Sequence, residues 1–262
     1  MIAALRIYLT LTWSEFVAYR AVFLLYALWA IFTPIIYLAV WVTIAGGHAV
    51  GAFTTGDFVA YYLTFMLVNQ FVGSIEIHTV EWEIRQGSIS ARLLLPTHPA
   101  IRPLASNLSF KGIGSFVVIP GVFLLGFLFH PHFHTSPAYV GLAVFSTVLA
   151  ALLQFLVGIS IASLAFWITR ADAVNQLHET LLFFLSGQLA PLALLPGALH
   201  QAAFILPYRY MLSFPVEVAT GSLSGSDIAL GFLAQLGWLA AGWALFQFVW
   251  RQGVRRYSAV GG

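Results

Sequence analysis

Three histidines in five residues, His130-Pro131-His132-Phe133-His134, are the densest set of metal-ligand side chains in this 262-residue chain. Imidazole is a common transition-metal ligand. Yet proline opposes helical spacing there, and no carboxylate or cysteine lies close in sequence to complete a ligand set. The cluster reads as a solvated external turn, and no metal site is expected. Ser186 has the other side chain with a chemical use, because His178 and Glu179 lie upstream of it. A nucleophile and its base must touch, and eight helical residues separate Ser186 from His178 by more than ~10 Å. No local dyad forms, so no residue is given a catalytic role. Lys111 is the only lysine and follows Ser109-Phe110, which leaves no Gly-x-x-x-x-Gly-Lys-Ser/Thr phosphate loop and no cofactor expected in this chain. Cysteine is absent, which removes disulfides, thiolate metal sites and any redox indication of compartment.

The elements that position these residues are set by composition. Hydrophobic residues make up 60% of the chain, charged residues 8%, and mean hydropathy is +0.91, against roughly 25% charged residues in soluble domains. The net charge of +2 is too small to argue for nucleic acid. Among the eleven cationic residues, all but Arg209 fall in four short segments separated by long apolar runs. If those segments share one side of a bilayer, the runs fold into an even number of crossings with both termini on the cationic side, which orientation statistics identify as cytoplasmic. The expectation is an all-α integral membrane protein with six transmembrane helices, a single transmembrane domain over residues 1–262, and both termini in the cytoplasm.

The N-terminal residues are broken by Arg6 and Glu15 and show no cleavable signal. Residues 1–20 place Leu5, Leu9, Trp13, Phe16 and Val17 on one stripe, the pattern of an elbow helix lying in the interface. Residues 21–45 form the first span, which Gly46-Gly47 ends. The second lies between Asp57 and Glu76 and is expected to continue as helix towards Glu83. Between Lys111 and Arg170 lie 58 residues without a formal charge, enough for two spans meeting at the histidine turn. A short cytoplasmic loop at residues 169–173 precedes a fifth span over 174–190. Pro191, Pro196 and Pro207 then break an apolar segment, residues 191–212, into a pair of short helices dipping into the outer leaflet. Such backbone is tolerated only where protein or a water-filled cavity covers it. The last span covers residues 228–250, and Arg251, Arg255 and Arg256 stop it. Internal repeats are not convincing beyond generic hydropathy.

The segment after the second span reads Glu83-Ile84-Arg85-Gln86-Gly87-Ser88-Ile89-Ser90-Ala91-Arg92-Leu93-Leu94-Leu95-Pro96. Gly87 ends one helix, Ser88 caps another, and Pro96 stops it within about two turns. Ile89, Leu93 and Leu94 would share a face, with Arg85 and Arg92 near the ends: an amphipathic knob shaped to dock. The alternative is a solvated loop whose arginines merely satisfy the orientation rule.

These residues resemble the ABC-2 type permeases of ATP-driven exporters. In that family a Glu-containing stretch, a Gly-Thr-Leu-like turn and a short helix with paired leucines and a proline form the coupling helix that seats in the ATPase subunit. Gly87-Ser88-Ile89 followed by Arg92-Leu93-Leu94-Leu95-Pro96 is similar in order and spacing, with Ser and Ile in place of the commoner Thr and Leu. Gly187-Gln188-Leu189-Ala190-Pro191, Leu195-Pro196 and Leu206-Pro207-Tyr208 look like the family's external re-entrant region, and Tyr210-Met211-Leu212-Ser213-Phe214-Pro215-Val216 is similar to a subgroup of bacterial members with uncharacterised substrates. The resemblance implies a type V exporter-like fold in a bacterial inner membrane. It places ATPase coupling at residues 84–95, carried by Glu83, Arg85, Gln86, Gly87, Ser88, Ile89, Arg92 and Leu93, and the re-entrant pair at Gly187, Pro191, Pro196 and Pro207. It also implies a separate nucleotide-binding ATPase subunit that holds ATP and magnesium, a second permease as homo- or heterodimer, and membrane lipid around both.

Ionisable residues inside spans mark ion or substrate pathways. Asp57, Glu76, His78, His178 and Glu179 all sit near expected span ends, so no midplane carboxylate is available for proton coupling. This favours ATP-driven export over the alternatives, an ion-coupled secondary transporter and a polytopic membrane enzyme using the His130 to His134 turn. The substrate is not legible.

Overall fold

The computed structural model describes residues 2–74, 76–168 and 171–257. Thr169 and Arg170 of the expected short loop lie outside these residues, as does the side chain of Glu76. The described chain is helical throughout, with one isolated bridge between Val50 and Phe53. Helix α1 (Ile2–Ala18) is followed after Tyr19 by α2 (Arg20–Ala45), and Gly46 closes α2 in the left-handed conformation. Helix α3 (Thr55–Val72) opens with a reciprocal cap, in which Thr54 Oγ1 accepts the Asp57 N–H while the Asp57 carboxylate accepts the Thr54 N–H. This satisfies two donors that helix geometry leaves free.

The second span does not run unbroken to Glu83. Gly73 caps α3 and α4 starts afresh at Glu76 (Glu76–Arg85), with the Gly73 N–H on the Asn69 carbonyl at 2.8 Å. Helix α5 (Ile89–Leu93) is a single short turn before α6 (Ile101–Phe129) and α7 (Pro137–Ser163), which Leu164–Phe166 extends as 3-10 helix. Then come α8 (Asp172–Leu185), α9 (Gly197–Ile205), α10 (Tyr208–Met211), α11 (Ser213–Thr220) and α12 (Gly225–Arg256). Among the described residues, four stretches are long and apolar enough to cross a bilayer: Thr55–Arg85, Ile101–Phe129, Pro137–Phe166 and Gly225–Arg256. In α2 the corresponding described stretch is the shorter Ile31–Ala45. Helix α8 has 14 residues, about 21 Å of rise against a hydrocarbon core of ~30 Å. The expected fifth span over 174–190 is therefore not one helix; it gives way at Ser186-Gly187.

Helix α3 occupies the centre. Phe58, Tyr61, Tyr62, Phe65 and Met66 are all buried, packed by α2, α6, α7 and α11. Around it, Phe116, Phe123 and Phe127 on α6, Val144 and Val148 on α7 and Leu233 and Phe248 on α12 stay exposed. That band of apolar side chains is what hydrocarbon, not water, would cover. Helix α1 packs on α6, but its half-buried stripe is Leu5, Tyr8, Leu9 and Thr12, while Trp13 and Val17 stay open. The apolar stripe expected for α1 is thus only partly the packed one.

The two ends of the bundle differ. At one, Glu83, Arg92, Arg102 and Tyr257 gather; at the other, the His134 ring meets Asp57 at 3.0 Å and the His134 N–H reaches the Thr220 carbonyl.

Candidate functional site

At the arginine-bearing end, Gly87 interrupts the chain between α4 and α5 with φ +75°, a conformation that costs a β-carbon about 1–3 kcal/mol. A charge network locks the two sides together. Glu83 is 5% exposed; its carboxylate pairs with Arg92 of α5 and accepts from Arg102 of α6 at 3.1 Å. Burial, together with the nearby Arg102, pulls the Arg92 guanidinium down to about 10, so it stays charged at neutral pH. The end of α12 closes the break: the Tyr257 hydroxyl donates to the Gly87 carbonyl at 3.2 Å and lies 2.8 Å from Ser90 Oγ. Arg102 and Tyr257 are essential to this geometry and carry no local sequence signal, since both reach the segment from distant helices.

Three features of the sequence reading change here. Ser88 does not cap α5; its hydroxyl donates backwards to the Glu83 carbonyl at 3.3 Å. The helix itself is only Ile89–Leu93, shorter than the expected 84–95. Ile89 does not face a partner. It is fully buried against Ile77, Val80, Ile84 and Ile159, with Leu93 half-buried beside them, because α5 folds back onto α4 and α7 rather than projecting. The outward surface is made instead by Arg85, Gln86, Ala91 and Leu95, with Leu94 87% exposed.

At the opposite end, residues 186–212 fold against α2 and α3. Gly187 has φ +84°, and a β-carbon there would lie 2.2 Å from the Tyr61 hydroxyl. That hydroxyl donates to the Gly187 carbonyl, while Tyr62 and Trp41 both donate to the Leu189 carbonyl, each at 2.9 Å. Irregular backbone inside an apolar bundle needs such partners. Pro191, Pro196 and Pro207 each stand immediately before a short helical element, Leu192–Leu194, α9 and α10, where a missing N–H is harmless.

Arg209, the one cation outside the four basic segments, is 5% exposed. Its guanidinium donates twice to Glu217 Oε2, at 2.6 and 3.2 Å, and stacks 3.8 Å above the Phe204 ring. Ser213 Oγ holds the other carboxylate oxygen at 2.7 Å. One buried pair thus joins α9, α10 and α11, and a spacing of eight residues with an intervening turn hides it from sequence reading. Gln235 of α12 adds a second tie, donating to the Ser146 and Tyr210 carbonyls.

The three histidines of the 130–134 turn are used separately. His134 faces Asp57, a carboxylate close in space but not in sequence, and His132 packs against Gly56. His178 lies in the middle of α8, not near a span end, since that helix stops at Leu185. It is buried, with its Nε2 3.4 Å from the Gln154 amide of α7. Ser186 Oγ has no hydrogen-bond partner among the described residues, so the two do not form a dyad.

No curated protein matches the chain. A family model described as ABC-2 family transporter protein matches residues 28–261, which include the break at Gly87, the proline-broken segment 186–212 and, among the described residues, the four long apolar stretches. With a helical membrane bundle in place and nearly its whole length matched, the chain belongs to the ABC-2 family of transporter proteins, as a membrane-spanning permease.

Proposed function

We infer that this permease is the membrane half of an ATP-driven exporter, coupled to a separate ATPase subunit and paired with a second permease in a bacterial inner membrane. The observation that carries the reading is the surface at the arginine-bearing end. Leu94 and Leu95, exposed and apolar, stand beside Arg85 and Gln86 on a segment braced from behind by the Glu83, Arg92 and Arg102 network. Apolar side chains held open on a rigid, charged base at the ends of the long apolar helices serve a protein partner better than water. Nucleotide on the partner would bias two global states; closure of paired ATPases would push α5 as a unit, and the brace would pass that motion into α4, α6 and α12. Residues 191–212 form the external re-entrant region at the far end of the same bundle. Both termini lie in the cytoplasm.

The test is co-purification with the cognate ATPase and ATP turnover in proteoliposomes. Leu94→Asp combined with Gln86→Glu alters only exposed side chains and should leave folding intact while abolishing association. Normal association and turnover in that variant would show that coupling occurs elsewhere. A wild-type permease that binds no ATPase and transports only down an ion gradient would remove the exporter reading altogether.

A further inference from the structure

A second cluster at the arginine-bearing end lies behind the coupling surface and meets it at the Arg85 and Glu81 pair. His78 and Glu81 stand three residues apart on α4 and therefore share a helix face. Asp172 opens α8, far away in sequence. The fold brings one imidazole nitrogen and one oxygen of each carboxylate to within 4.8 Å of one another. His78 and Asp172 are exposed, whereas Glu81 is 4% exposed. Glu81 is held from behind: its Oε1 accepts the Ala171 N–H at 3.2 Å, and the Arg85 guanidinium comes no nearer than 3.9 Å.

The donor set restricts what could bind. Magnesium and calcium take oxygen ligands, whereas a mixed imidazole and carboxylate set suits zinc and its neighbours. A ligating carboxylate fixed by a backbone N–H is the outer-shell arrangement that orients such ligands. Zinc bonds of about 2.0–2.2 Å require ligand atoms closer together than 4.8 Å. Here the buried ligand is already fixed, and the two exposed ones are free to close on the ion. We propose that His78, Glu81 and Asp172 form a zinc-class divalent cation site that ties α4 to α8. Three protein ligands leave a position for water, which exposure of the site supplies. Helix α8 is packed mainly by the short α9 and α10. A metal tie would reinforce the Ala171 to Glu81 hydrogen bond that already joins the start of α8 to α4, the helix that leads directly into the Gly87 break, so occupancy would stiffen the frame behind the coupling surface. The inference concerns binding alone and does not depend on the transport reading.

The experiment uses the full chain in detergent, free of any affinity tag and stripped with chelator, titrated with Zn2+ by calorimetry and with Co2+ by visible absorption. One saturable equivalent per chain is expected, with Co2+ bands of a low-coordinate nitrogen and oxygen site. His78→Ala and Asp172→Asn alter exposed side chains and should each weaken binding by about tenfold or more, in line with loss of a ligand. The triple change of His130, His132 and His134 to Asn should leave it unaltered. No saturable site in the wild-type chain overturns the proposal, as does binding that survives both single changes or that disappears only in the triple variant.

Discussion

Ile89 shows how a single side chain changes meaning between sequence and structure. On a helical wheel it marks a docking face; in the folded chain it is fully buried. Ile89→Asp should therefore unfold the segment rather than merely uncouple it. A carboxylate at that position lies among Ile77, Val80 and Ile159 without a partner, and burying an unpaired charge there costs several kcal/mol. The expected outcome is a lowered thermal midpoint and faster proteolysis near residues 84–100, neither of which Leu94→Asp should show. His98 offers a test by pH. Crowding by the Trp250 and Phe246 rings lowers its pKa from the ordinary 6.5, and its neutral Nδ1 accepts the Ala100 N–H at 3.1 Å. The unfolded segment takes up a proton near 6.5 and the folded one only at lower pH. The stabilisation is present above pH ~6.5 and lost as pH falls through the lowered value. The thermal midpoint should drop between pH about 7.5 and 5.5, and His98→Asn, which keeps an acceptor where Nδ1 stood, should reduce that drop.

Whole elements are held by pairs that reach across turns. Helices α9, α10 and α11 are too short to be stable alone, so the Arg209 and Glu217 pair carries much of their arrangement. Glu217→Leu leaves a buried guanidinium unpaired and should cost about 3–5 kcal/mol, read as a lowered thermal midpoint and protease sensitivity at residues 191–212. The double variant Arg209→Met with Glu217→Leu should recover most of that loss, because replacing both partners removes the unpaired charge. If the double variant is as stable as wild type yet inactive, the pair serves motion of residues 191–212 rather than their folding. At the other end, Gly87→Val should weaken the α4 to α5 break by about 1–3 kcal/mol through its positive φ.

For the molecule as a whole, the arginine distribution and the fold agree on two distinct ends, and orientation in the membrane is open to direct measurement. Single cysteines can be introduced freely because the chain has none. Ala91 and Gln252 are exposed at the arginine-bearing end, and Ser136 and Ser226 are exposed at the opposite end. If both termini face the cytoplasm, as proposed, an impermeant thiol reagent applied to intact cells should label Ser136→Cys and Ser226→Cys and spare Ala91→Cys and Gln252→Cys. Labelling of the second pair would invert the assignment.

The sequence by itself determined that this is a helical membrane protein, where its basic end lies, and where Gly87 and the prolines interrupt helices. These are local or compositional properties: hydropathy over a helix length, charge between runs, and backbone dihedrals that one residue type permits. It did not determine which side of α5 is buried, that α8 is too short to cross alone, or that Arg209 finds Glu217. A five-residue helix has no periodicity long enough to define its inner face, and the partners of Glu83, Arg209, His134 and Gly187 stand on other elements. Only tertiary packing, which brings residues distant in sequence to contact distance and desolvates them together, decided those pairings.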